Sequence, residues 1–168
     1  MDREVELKEF VSARGAALSR AAYLLTGDHQ AAEDLVQEVY VVLVRRWHKS
    51  GTLDPEAYVR RILYSRFVDG RRRRRLLEVP RATPPDAAGG DEAGALTDRL
   101  TLRDAMARLT PRQRAVIVLR FYEDLTEPQT AAALGISPNT VKSQTRVALQ
   151  RLRELAPDTV ASFEGVES

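Results

Sequence analysis

The 168-residue chain predicts an all-α fold, arranged as two small helical domains joined by a flexible linker. Three observations carry that prediction. Apolar residues recur at three- and four-residue spacing through every long segment, the period of a helix buried along one side. A capping residue followed at once by proline opens a helix at Asp54-Pro55, Thr110-Pro111 and Ser137-Pro138. Between the two halves lies PRATPPDAAGGDEAGAL, residues 80–96, with three prolines and three glycines. Such a segment has little to bury, so it reads as a linker.

The chain divides on this reading into 4–79, the linker 80–96, 97–156 and an acidic tail, 157–168. In the first part, Val5, Phe10, Ala13, Ala17, Ala21, Leu24 and Leu25 mark a helix over residues 4–26. Thr26-Gly27 ends it and Asp28 caps the next. That second helix carries AEDLVQEVYVVLVRRW. Val36, Val39, Tyr40, Leu43, Val44 and Trp47 form its apolar side, and Asp34, Gln37, Glu38 and Val41 line the opposite side. The acidic groups there include Glu33, which raises a metal-dependent enzyme as one reading. No cysteine is present and the two histidines, His29 and His48, have no companions, so a solvated or partner-binding face explains the carboxylates better.

After the loop HKSGTL, residues 48–53, a third helix runs through PEAYVRRILYSRFVDGRRRRRLLEV. Tyr58, Ile62, Leu63 and Phe67 point to its core, while Arg60, Arg61 and Arg66 project outward ahead of five consecutive arginines, Arg71 to Arg75. Aromatic Tyr58 and Tyr64 interleave with these cations, a mixture suited to stacking on bases and neutralising phosphates.

The second part opens with a short helix near residues 97–108, then LTPRQRAVIVLRFYEDLT. There Thr110 and Gln113 have capping-box spacing, and Val116, Ile117, Leu119, Phe121 and Tyr122 supply core. TEPQTAAALGISPNTVKSQTRVALQRLR follows. Thr126 and Gln129 repeat the capping box, Ala131 allows close helix packing, Gly135 permits a left-handed turn, and Ser137-Pro138 restarts a helix. The spacing is that of a helix-turn-helix. Asn139, Thr140, Lys142, Ser143 and Arg146 cluster toward the start of the second helix, where a major-groove reader needs polar and basic groups.

A net charge of +2 conceals strong segregation. Residues 1–44 carry 4 basic and 8 acidic groups, and 45–75 carry 11 basic and 3 acidic. Residues 76–104 sum to −3, 105–155 to +4, and 156–168 to −3. Two separated basic blocks predict two contacts with a polyanion. The N-terminus has no signal-peptide pattern and no apolar run approaches the roughly twenty residues of a membrane span, so the expectation is a soluble, cytoplasmic protein without a membrane partner.

With both halves laid out, the chain resembles the extracytoplasmic-function (ECF) sigma factors of the sigma-70 family, over about residues 5–155. The resemblance implies a non-enzymatic RNA polymerase subunit, without metal or cofactor, that directs initiation at particular promoters. AEDLVQEVYVVLVRRW is similar to the segment of sigma region 2 that docks on the clamp of the polymerase's largest subunit, which implies contact through Asp34, Gln37, Glu38 and Val41. PEAYVRRILYSRFVDGRRRRR is similar to the segment that captures the melted −10 strand. Tyr58, Arg60, Arg61, Ser65, Arg66, Arg71, Arg72 and Arg73 are its implied contacts. His48, Lys49 and Ser50 lie in the loop implied to receive a flipped base.

The second half resembles sigma region 4, which rests on the polymerase flap and reads the −35 element through Asn139, Thr140, Lys142, Ser143 and Arg146. The same resemblance admits an anti-sigma factor as a further partner. LTPRQR with LGISPNTVKS is also similar to the DNA-binding domain of LuxR-type regulators, and a transcriptional regulator acting without polymerase is the alternative.

Overall fold

The computed structural model describes residues 2–47, 49, 54–77 and 101–164, with side chains described outside 71–77 and 162–164. The linker 80–96 therefore lies outside the described residues, as do His48, Ser50 and the side chains of Arg71, Arg72 and Arg73. Among the described residues every regular element is helical.

The first half is a three-helix unit. α1 (Arg3–Thr26) starts at Asp2, whose side chain accepts from the Glu4 amide, and stops at Gly27 in a left-handed conformation, φ 69°. That conformation costs an L side chain but not glycine. α2 (His29–Trp47) is capped by Asp28, which accepts from the Ala31 amide at 2.8 Å. α3 (Pro55–Leu77) is capped by Asp54, which accepts from the Ala57 amide at 3.0 Å. Leu18, Ala22, Leu25, Leu35, Val39, Leu43, Leu63 and Phe67 are buried where the three helices meet.

Among the described residues, the second half holds five further α-helices. α4 (Leu102–Ala107) is capped by Thr101, and α5 (Pro111–Ile117) begins with a complete capping box between Thr110 and Gln113. α5 passes directly into a π-helical turn, Val118–Tyr122. Thr126 and Gln129 form a second complete capping box at the start of α6 (Glu127–Leu134), which ends at Gly135, φ 66°. Ser137 caps α7 (Pro138–Leu155) by accepting from the Thr140 amide at 3.1 Å. Val116, Ala131 and Val141 close the crossing of α5, α6 and α7 as a small buried cluster of their own.

Three expectations change. Residues after Pro157 are not simply a tail: α8 (Pro157–Glu164) folds back on α7, with Ala156 and Val160 buried. Acidic composition hid that one-valine contact. Val5, Ala13, Val44 and Tyr122, read as core, are exposed, because the helices they sit on are contacted over a narrower stripe than the apolar pattern occupies. Tyr64, read as a base-stacking aromatic, is fully buried.

The two halves also share a core. Buried residues from Leu7 through Phe67 and from Ala105 through Val160 form one contiguous apolar cluster, and α3 packs against both α5 and α6. Apolar periodicity shows which side of a helix is buried; it does not show against what.

Candidate nucleic-acid and polymerase interfaces

Three groups of candidate residues occupy three places. On α2, Asp34, Gln37, Glu38 and Val41 are all exposed on one side, and Gln30 Nε2 donates to Asp34 Oδ1 at 3.1 Å. Val41 is 49% exposed and Val44, one turn on, 43%. Polar groups thus flank two solvent-facing valines, an arrangement fit for a protein partner. Among the described residues, no group of three or more His, Cys, Asp or Glu side chains could hold a metal ion.

The α3 candidates divide. Arg61, Ser65 and Arg66 are exposed, with Ser65 one turn beyond Arg61. Tyr58 is half-buried, and the Arg46 guanidinium lies 5.6 Å from its ring centre. Lys49 is exposed beside the C-terminus of α2, its amide donating to the Arg46 carbonyl at 3.0 Å. Arg60 departs from the expected outward position: its Nε donates to Glu123 Oε2, from the other half of the chain. Tyr64 donates its hydroxyl to Glu123 Oε1 at 2.7 Å. Burial pushes the Tyr64 phenol well above its usual range, and the Glu123 charge and hydrogen bond add to the shift.

On α7, Asn139, Lys142, Ser143 and Arg146 are exposed near the N-terminal end, and Thr140 is half-buried. Ser143 returns its hydroxyl to the Asn139 carbonyl at 3.0 Å, and the Thr140 hydroxyl lies 2.8 Å from Ser137 Oγ in the cap. Asn139, Lys142 and Arg146 therefore present the longest polar reach. The cap, the left-handed Gly135 and the buried Val141 hold this surface outward, as a groove-reading helix requires.

Arg114 was not among the candidates, yet it ties the second half together and to the first. Its guanidinium, 7% exposed, donates to the carbonyls of Met106, Ala107, Leu109 and Leu25, the last at 2.7 Å and in α1. These carbonyls belong to the ends of α4 and α1, where helix dipoles favour a cation. The signal was present: Arg114 sits three and four residues before Ile117 and Val118, on the core stripe of α5. Glu123 had no comparable signal, because its partners lie 59 and 63 residues away.

Comparison with known proteins agrees with this architecture. Residues 10–76 match the family model for sigma-70 region 2, and residues 99–152 match that for sigma-70 region 4. The RNA polymerase sigma-E factor of Streptomyces avermitilis is 41% identical over 153 residues, covering 89% of this chain and 84% of that protein. The ECF RNA polymerase sigma factor SigL of Mycobacterium tuberculosis is 36% identical over 147 residues, covering 82% and 81%. Among solved structures, the sigma factor RpoE from Bartonella quintana, crystallised in complex with the anti-sigma factor NepR, superposes with a TM-score of 0.65 at 26% identity, covering 89% of this chain and 96% of that one. The chain belongs to the sigma-70 family, in its ECF group. A region 2 match across the first half sets aside the LuxR-like alternative, which shares only the helix-turn-helix.

Proposed function

We propose that the chain is a promoter-specificity subunit that docks on core RNA polymerase through α2, captures the melted −10 strand with α3 and reads the −35 element with α7. The observation that supports this is that exposed polar and basic residues of α3 and α7 lie in the two halves that match sigma regions 2 and 4. The functional units are 4–79 and 97–156, with 80–96 as the tether. Polymerase contacts come from Asp34, Gln37, Glu38 and Val41, to which exposed Val44 is added. Arg61, Ser65, Arg66, Lys49 and Tyr58 meet the −10 strand, joined by His48, Ser50, Arg60 and Arg71 to Arg73. Asn139, Thr140, Lys142, Ser143 and Arg146 address the −35 duplex.

The polymerase performs the chemistry, and the chain itself is not an enzyme. Tethering both readers to one large enzyme raises their effective concentration at the promoter, so neither half needs tight DNA binding alone. Among the described residues no helix is long and apolar enough to cross a membrane, which fits work in the cytoplasm. The Bartonella quintana relative's complex with NepR supports an anti-sigma factor as a partner here too.

Reconstitution with core polymerase and a promoter library tests the reading. Transcripts that start at a shared promoter motif, and only when the chain is added, support it. Tight duplex binding without polymerase, and no promoter-dependent transcripts, would sink it.

A further inference from the structure

The outward side of α7 carries an apolar side chain among its polar ones. Val147 lies one turn beyond Ser143 and is 46% exposed. Helical spacing puts Arg146 on one side of the Ser143–Val147 strip and Arg151 on the other, and both arginines are exposed. Valine is a poor choice for such a position. It is β-branched, so the helix restricts its side chain, and a half-solvated site returns little packing for that loss.

A lone exposed valine is ordinary on a protein surface, but the surroundings of Val147 point to a ligand. Ser143, the neighbour toward the start of the helix, turns its hydroxyl proton inward to the carbonyls of Asn139 at 3.0 Å and Thr140 at 3.3 Å. Val147 therefore adjoins a short side chain on the reading surface, with cations at both edges. Short groups at the centre let the helix approach the edges of base pairs, and cations at the rim suit the phosphates on either side. A protein partner would be served by a broader apolar patch, as on α2, where Val41 and Val44 lie one turn apart. Among the described residues Val147 is the one large exposed hydrophobic of α7.

We propose that Val147 reads the 5-methyl group of a thymine in the −35 duplex and makes one position of that element prefer thymine by apolar contact. This rests on the function proposed above. Thymine alone among the four DNA bases presents a methyl group in the major groove, and apolar side chains pack on it. Cytosine at the same place would present an amino donor that valine cannot accept, and burying that donor unpaired is unfavourable.

Holoenzyme assembled from the full chain and core polymerase first selects its preferred −35 element from a duplex library randomised there. Each thymine of that element, on either strand, is then replaced in turn by deoxyuridine, which differs only in lacking the 5-methyl group. At one thymine the replacement should weaken promoter binding by about fourfold, the worth of one buried carbon group. Val147→Ala and Val147→Gln should each bring that ratio close to one, and Val147→Ile should keep it. Val5→Ala, at an exposed valine on α1, should leave it at about fourfold. Circular dichroism checks that each variant keeps its helices; the alanine and glutamine variants read the same ratio, so either one that folds decides. An element whose thymines all bind as uracils do overturns the contact. So does a thymine preference that survives both substitutions. Loss of affinity for core polymerase in Val147→Ala, with the thymine ratio unchanged, overturns it too and makes Val147 a protein contact. Failure of the proposed function looks different: the wild-type holoenzyme then enriches no −35 sequence, and the contact falls with it.

Discussion

At the scale of single residues, Tyr64 and Arg146 show opposite uses of a polar tip. Arg146 is exposed on α7, on the surface proposed to read DNA, where truncation opens no cavity. Arg146→Ala should lower use of −35-dependent promoters by about 1–3 kcal/mol if the lost contact is to a base. Transcription from a panel of −35 variants measures this, and an unchanged ranking would count against α7 as reader. Tyr64 buries its ring and spends its hydroxyl on Glu123. Its pKa lies well above the ordinary 10.0 in the folded chain, first through burial and then through Glu123. The native state therefore holds a proton that the unfolded chain releases near 10.0. Its stabilising contribution is complete below that pH and is lost as pH rises toward the folded value. Denaturant midpoints should fall above pH 10, and Tyr64→Phe should flatten that alkaline decline while lowering stability at neutral pH.

At the scale of elements, the helix boundaries were largely written in the sequence. The capping boxes at Thr110 and Thr126, the caps at Asp28, Asp54 and Ser137, and the left-handed glycines at 27 and 135 all depend on neighbours within four residues. Local chemistry of that kind is legible because nothing distant is needed to satisfy it. Thr126→Ala removes the arm in which Thr126 Oγ1 accepts from the Gln129 amide, leaves the Thr126 N–H donating to Gln129 Oε1, and should cost about 0.5–2 kcal/mol. At Gly135 an added Cβ would meet no atom within 4 Å, so Gly135→Ala should cost only the left-handed backbone term, roughly 1–2 kcal/mol. Thermal or denaturant unfolding reads both; a neutral Gly135→Ala would mean that the turn relaxes. The π-helical turn at Val118–Tyr122 and the docking of α8 were not legible. Each is decided by packing onto other helices, which no short-range pattern encodes.

At the scale of the molecule, the candidate surfaces on α2 and α7 could be found from periodicity, since a polar side that has no core to meet faces outward. Gln37→Ala with Glu38→Ala should weaken binding to core polymerase and leave the unfolding midpoint close to wild type, because both side chains are exposed. Holoenzyme formation that is unaffected would remove α2 as the docking face. The union of the halves was invisible for a different reason. Arg60, Tyr64 and Glu123 are unremarkable in their own segments, and only the fold brings residues some sixty positions apart into one contact.

That union bears on how the protein searches. A genome offers on the order of a million or more chance sites to any basic chain. A chain whose Arg60 is already paired with Glu123 leaves fewer of its cations for them. On the function proposed above, it would then be left to polymerase rather than taken up by bulk DNA.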